Sequence, residues 1–356
     1  MSRMQHGRIF AAFAAAGAMV LSVTQPAVAS TPADETIAAI ESASESIEAT
    51  SGVAPLEEAL PGAVSGDVVT LDAGASQVVV DTEASTITLG DGEASLGIVI
   101  ADAERPAEVS SQGFAVAETG VEATTAVLPQ EDAVQLLTVI DGPAAPSTFS
   151  YDLNVPEGAA VALDEASEGV IVADSEGALI AGIAPAWAVD AAGMELSTHF
   201  EVEGTTVIQV VDHATDGVQY PVTADPYLGT NLFSYVRTDA ALTVASMRLS
   251  TWGMTVWIRG GKSTTLLPTP IAIFQGQAII NQYGWSEMLG RMGANAKRMF
   301  NRTSVQQQFS CHALGWIADY RAWEWNLERD RPALSVHWAN NVLQHRCNWN
   351  RSNGGV

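Results

Sequence analysis

The 356-residue sequence is 47% hydrophobic yet carries 41 Asp and Glu against 16 Lys and Arg, a net charge of −25 at pH 7. Nucleic acid is not an expected partner, since an exported protein, as the start of this chain marks it, rarely meets one, and the two cysteines are too few for a disulfide-dense miniature fold or a four-cysteine zinc site. The average hides a division: residues 30–225 hold 35 acids and one basic residue, Arg105, whereas residues 226–356 hold 13 Lys and Arg against 6 acids, with eight of the nine Trp and both Cys. Two composition regimes predict two domains with separate tasks.

At the start of the chain, Arg3 and Arg8 flank an uncharged apolar run from Ile9 to Val23, and Ala27-Val28-Ala29 supplies a small-x-small site. This is the pattern of a cleavable signal peptide over residues 1–29, cut between Ala29 and Ser30. The run is short for the roughly 20 residues that span a bilayer. Residues 30–66 place Ile37, Ile40, Ile47, Leu56 and Leu60 sparsely among Glu, Ser and Ala, which predicts an acidic segment that is helical or disordered.

From Asp67 the period changes to two. Short β-branched runs at Val68–Leu71, Gln77–Val80, Ser85–Leu89 and Leu96–Ile100 are punctuated by turn residues. Others follow at Ala133–Ile140, Phe149–Val155, Gly169–Ala173, Ala178–Ile183 and Thr205–Val211. Strands at this spacing predict a β-rich, sandwich-like acidic region over 67–225. Its carboxylates are spread along strand ends and turns and make a solvated face, not a glycosidase-like pair. No calcium-loop spacing occurs, and His199 and His213 read as structural.

The stretches Phe149–Gly158, Ala184–Gly193, Gln209–Ala214 and Tyr220-Pro-Val-Thr-Ala-Asp-Pro together resemble a module of exported actinobacterial proteins over about residues 146–227. The resemblance implies a carrier that precedes C-terminal domains of several kinds, with no catalytic site of its own.

Two prolines and the change in charge mark a junction, which predicts an exposed linker open to proteolysis across Ala224, Asp225, Pro226, Tyr227, Leu228, Gly229, Thr230 and Asn231. Cleavage there would divide an acidic pro-domain from a basic mature domain over 226–356. Within that domain, Ala241–Ser250 and Met254–Arg259 read as a hairpin turning at Thr251-Trp252-Gly253. Gly260-Gly-Lys-Ser-Thr264 lacks the first glycine of a phosphate-binding loop, since position 256 is Val256, and reads as a turn. Helical signals begin near Ile271. They are clearest over Ser286–Phe300, where Met288, Leu289, Met292 and Met299 share a face opposite Arg291, Lys297 and Arg298. That basic amphipathic helix suits either an anionic surface or an ordinary core contact. The expected class is a small α+β domain, hairpin plus helices, with one disulfide between Cys311 and Cys347. Export into an oxidising space favours that bond, and no C-x-x-C spacing supports a catalytic thiol or a metal site.

Gln308–Trp316, Trp325-Asn-Leu-Glu-Arg-Asp-Arg-Pro332 and His345-Arg-Cys-Asn-Trp349, with Gly284-Trp-Ser-Glu287 upstream, resemble a C-terminal domain of unknown function shared by many secreted actinobacterial proteins. The likeness spans about residues 228–350 and implies a disulfide-closed module without established chemistry. Some exported basic proteins of this size in coryneform actinobacteria are bacteriocins released from longer precursors, an analogy of size and charge that enters the functional expectation.

His312, His337 and His345 with Asp319, Glu324 and Glu328 provide groups for acid–base or zinc chemistry. No H-E-x-x-H spacing joins them, and His337 and His345 stand eight apart on an expected helix. Catalytic residues, metals and cofactors are therefore assigned as none. The Trp and Arg residues instead suit sugar stacking, cation–π contacts, anionic wall polymer or lipid, and the envelope-contact candidates are Arg291, Lys297, Arg298, Trp316, Trp323, Trp325, Arg329, Arg331 and Trp338. The alternative is that the Trp fill a small core. The leading expectation is a secreted antibacterial protein of the bacteriocin type, masked by its own acidic pro-domain, released by proteolysis and acting on the envelope of related Gram-positive bacteria. A non-enzymatic cell-wall or glycan-binding protein is the second reading and a secreted hydrolase the third.

Overall fold

The computed structural model describes residues 30–52, 54–73, 76–90, 95–103, 106–165, 167–259, 265–266, 272–273, 275–315, 324–340 and 342–350. The signal-peptide reading of 1–29 and the turn reading of 260–264 lie outside them.

The acidic segment opens with three helices, α1 (Pro32–Ser42), α2 (Ser44–Ser51) and α3 (Pro55–Glu58). Thr31 caps α1 through a reciprocal bond with Asp34, and Pro32 occupies the first turn, where its missing N–H costs nothing. Of the residues 30–66 expected to be helical or disordered, 32–42, 44–51 and 55–58 form these helices, whose Ile37, Ile40 and Ile47 are buried against a sheet, whereas 63–65 are strand.

Strands β1 (Ala63–Ser65), β2 (Val68–Ala73), β3 (Ser76–Asp81), β4 (Thr86–Leu89) and β5 (Leu96–Ile100) then form an antiparallel meander. The chain crosses to a second sheet through β6 (Glu108–Val109), β7 (Ala115–Glu118), β8 (Ala123–Gln130) and β9 (Ala133–Ile140), and returns beside β5 as β10 (Thr148–Asn154). β11 (Ala160–Asp164), β12 (Gly169–Ala173), β13 (Leu179–Ile183) and β14 (Ala188–Val189) belong to the second sheet. β15 (Thr198–Glu203) and β16 (Thr206–Val211) complete the first beside β10. β17 (Val222–Ala224) and β18 (Tyr227–Gly229) re-enter the second.

Alternation decides the packing. Leu96, Ile98 and Ile100 of β5 face the other sheet while Gly97 and Val99 do not, the pattern of a strand buried on one face. β9 is buried on both: Val134, Leu136 and Ile140 join the inter-sheet core, and Leu137 and Val139 pack on Ile37 and Ile40 of α1. The acidic region is thus two sheets with a helical layer on one, and its polar core groups form a hydroxyl chain, Thr125 to Thr138 at 2.9 Å and Thr138 to Tyr151 at 3.3 Å.

The expected exposed linker is not one. β18 lies between β9 and β13 in the middle of the second sheet, pairing Tyr227 with Gln135 and Leu228 with both Val134 and Ile183. Residues Val222 through Gly229 are all buried, Asp225 Oδ1 accepts from Trp187 N at 2.9 Å, and Tyr227 donates to Gln130 Oε1 at 2.5 Å. Pro221 and Pro226 sit just outside the short strands they flank, where a missing N–H is tolerated.

The C-terminal lobe follows: β19 (Phe233–Thr238), β20 (Val244–Leu249), α4 (Thr251–Arg259), the short pair β21 (Thr265–Leu266) and β22 (Ala272–Ile273), α5 (Gln275–Gly290), α6 (Ala294–Phe300), α7 (Thr303–Gly315), β23 (Trp325–Glu328) and α8 (Val342–His345). The expected hairpin is corrected, because Met254–Arg259 belongs to helix α4 and β20 pairs with β19 and β23. Ser250 starts that helix, its Oγ accepting from Gly253 N at 2.9 Å, and Trp252 and Val256 then share a buried face at helical spacing. The single helix expected over 286–300 is two, divided at residues 291–293, with Gly293 capping α6. Met288, Leu289 and Met292 still face the core.

Candidate functional site

Cys311 of α7 and Cys347 after α8 form the expected disulfide, with Cα atoms 5.4 Å apart. Around it Leu334, Trp338, Val342 and Trp349 make a small buried cluster. A second, larger cluster fills the lobe, where Phe233, Phe309 and Trp325 meet edge to face with centroids 5.6–6.1 Å apart.

That packing sorts the envelope-contact candidates. Trp325 and Trp338, 6% and 4% exposed, are core residues and not a stacking surface. Arg291 is spent internally: it donates to the carbonyls of Phe233 and Ser234 and to Glu287 Oε1. Arg331 likewise binds the Trp349 carbonyl and Glu328, and Arg329 forks onto Asp330. Trp316 and Trp323 lie outside the described residues. Lys297 and Arg298 remain exposed at the end of α6, where cations also complement the helix dipole. Arg302, which the sequence reading did not single out, stands exposed just beyond them. From Met288 to Ser310 every charged residue is basic. Arg291 being spent, this leaves a ridge of three exposed cations.

The groups weighed for catalysis are scattered. His312 stacks on Trp325 with ring centroids 5.6 Å apart, and burial, helped by the Arg331 charge, pushes its pKa down to about 4. His345 is buried with both ring nitrogens engaged, whereas His337 is exposed. The two do not share a helix, since α8 begins only at Val342. Glu324 is held by Tyr235 and Arg237, which keep its carboxyl below the usual range. Asp319 lies outside the described residues. Among the described residues no group of three His, Cys, Asp or Glu could hold a metal ion, and no helix is long and apolar enough to cross a membrane. In the acidic region His213 is buried between Tyr220 and the Pro146 carbonyl, the structural role expected, and His199 is exposed beside Glu201.

Sequence reasoning missed two contacts, one between the lobes and one that anchors the start of the C-terminal lobe. Trp252 of α4 packs on the glycines of β13 and β18, so closely that a Cβ at Gly229 would fall 2.4 Å from its ring. Glu287 of α5 accepts from the amides of Leu232 and Phe233 at 2.8 and 3.1 Å, directly after β18, and burial outweighs these bonds and raises its pKa. Nearby, a cleft of about 280 Å³ lies between Glu48, Glu57 and Glu58 of the acidic helices and Arg248 and Thr251 of the lobe. Ser30, the residue after the expected signal cleavage, is exposed, and Ala29 is not described.

No curated protein matches the chain. Residues 250–350 match the model of a family described as a protein of unknown function (DUF2599), so the C-terminal lobe from α4 onward is similar to that family, while β19 and β20, on which its sheet depends, lie before the match.

Proposed function

We propose that the chain is an exported, non-enzymatic protein that binds the bacterial envelope through the cations Lys297, Arg298 and Arg302. The observation that carries this reading is the sorting of charge in the C-terminal lobe. Internal partners consume Arg291, Arg329 and Arg331, but Lys297 and Arg298 at the end of α6 and Arg302 just beyond it are exposed, where they can meet phosphate-rich polymer or lipid. The amino-terminal n-region and Ala27-Val-Ala29 site support export, and a disulfide suits an oxidising destination.

Antibacterial action of the bacteriocin type is the second reading. It is favoured by the acidic α2–α3 segment standing across a cleft from Arg248, as an escort would. In this reading the intact chain kills, because the junction between its halves is buried.

The test is retention of the full, disulfide-bonded chain on purified Gram-positive walls and on phosphatidylglycerol vesicles, against Lys297→Glu/Arg298→Glu/Arg302→Glu. Each cation near an anionic surface is worth about 1 kcal/mol, so the triple reversal is expected to weaken salt-sensitive retention by at least about 100-fold. Retention that ignores both salt and the reversal refutes the proposal. Killing of growing cells by the wild type, lost in the reversal, establishes the second reading.

A further inference from the structure

The C-terminal turn holds a costly backbone conformation in place. Arg346 and Cys347 follow α8 with φ of +47° and +63°, a region that residues bearing a Cβ seldom occupy, and here two do so in succession. The disulfide tethers Cys347 to α7. Its amide donates to Nδ1 of His345 at 3.0 Å, and the amide of Asn348 donates to the His345 carbonyl at 2.7 Å.

His345 is 3% exposed, and its ring meets Trp349 edge to face at 5.5 Å. Its Nε2 lies 2.8 Å from the Trp338 carbonyl. A carbonyl only accepts, so Nε2 carries the proton; a backbone amide only donates, so Nδ1 carries none. The surroundings therefore fix the neutral Nε2–H tautomer and leave no place for a second proton. One added at Nδ1 would set N–H against N–H and put a charge among Trp338, Val342 and Trp349.

We propose that His345 is an acid-sensitive latch: protonation of Nδ1 expels the Cys347 amide, releases the left-handed turn and frees Trp338 and Trp349 from the disulfide-closed corner, while the remainder stays folded.

Other charged and titratable groups stand around the corner. Arg331 reaches it from beyond β23 at the Trp349 carbonyl, with Glu328 already engaged by it, and Arg346 adjoins the ring in sequence. His337 leans on Trp338 with centroids 5.1 Å apart from the preceding turn, and His312 follows Cys311 on α7. Among the described residues no carboxylate is bonded to the His345 ring. Burial lowers its pKa and outweighs the Trp338 bond, which raises it. The neutral form thus stabilises the corner above the ordinary imidazole value near 6.5, and this contribution is lost as pH falls below it.

The test is hydrogen exchange of the 334–350 region in the full chain, disulfide intact, from pH 7.5 to 4 and corrected for the intrinsic rate. Opening of the corner is expected to rise by up to about tenfold per pH unit as pH falls from the ordinary imidazole value near 6.5 towards the lowered value of the closed corner, and to level off below that. His345→Gln, whose amide can donate to Trp338 and accept from Cys347 without titrating, is expected to flatten the profile, whereas His337→Gln and His312→Gln leave the rise in place. A wild-type corner that stays closed to pH 4, or an undiminished rise in His345→Gln, overturns the proposal. Should His345→Gln loosen the corner already at pH 7.5, the wild type decides: an NMR midpoint for the His345 ring that matches the opening midpoint supports the latch, and a mismatch overturns it.

Discussion

Trp252 should couple the two lobes measurably. Its indole, 2% exposed, lies on backbone with no side chain beneath it: a Cβ added at Gly229 meets ring atoms at 2.4 Å, and one at Gly182 at 3.0 Å. Trp252→Ala removes one of the largest buried side chains and is expected to cost about 3–5 kcal/mol. Gly229→Ala drives a methyl group into a rigid ring and should cost about 1–3 kcal/mol as overpacking. In the double variant the clash is gone and the new methyl refills part of the cavity. The combined loss should therefore fall short of the sum of the singles by about 1–3 kcal/mol, an interaction of the size seen between residues in direct contact. Urea unfolding followed by far-UV circular dichroism on all four proteins measures this cycle. Losses that add to within about 0.5 kcal/mol, or a Trp252→Ala cost below about 1 kcal/mol, would refute the contact as the seam between the lobes.

Glu287→Ala strands two backbone amides and the Arg291 guanidinium in a buried site and should cost about 3–5 kcal/mol in the same unfolding assay, with Glu287→Gln, which keeps one acceptor oxygen, losing less. Proteases applied to the folded chain should spare residues 222–229, which are strand and buried; N-terminal sequencing of the fragments, finding a cut there under native conditions, would contradict the placement of β18.

The β-rich region was readable because most of its strands announce themselves by alternation. The runs at Val68, Gln77, Leu96, Ala133, Gly169 and Thr205 coincide within a residue or two with β2, β3, β5, β9, β12 and β16. β8 was missed because Ala123–Gln130 packs on both faces and mixes Ala, Thr and Pro, which dilutes the period of two. α4 was misread as strand because Thr, Val, Trp and Ile favour sheets locally, and only the Ser250 cap with the Trp252–Val256 spacing tells otherwise. At the candidate site, composition found the right residue types but not their direction. Trp325 and Lys297 are equally visible in a sequence; burial of one and exposure of the other follow from which face of β23 or α6 turns inward, a tertiary fact. Glu287 belongs to a stretch that carries the resemblance, but its role had no signal, because the amides it binds lie 55 and 54 residues away in the chain.

Three boundaries expected to coincide do not. Charge changes sign near residue 226, the lobe's first strand begins at Phe233, and the family match begins at Ser250. β18 lies between the first two, so cutting where the charge changes would leave the centre of the second sheet attached to the basic half. Release would then break the pairing of Tyr227–Gly229 with both β9 and β13, expose the glycine-floored seat of Trp252, and uncover Leu232 and Phe233 beside the Glu287 clamp. Burial of that kind cannot be undone by a protease without first unfolding the sheet. The acidic half is therefore less a detachable mask than a structural part of the basic lobe. The proposed envelope binding should accordingly be sought in the joined chain, with Lys297, Arg298 and Arg302 as its cations.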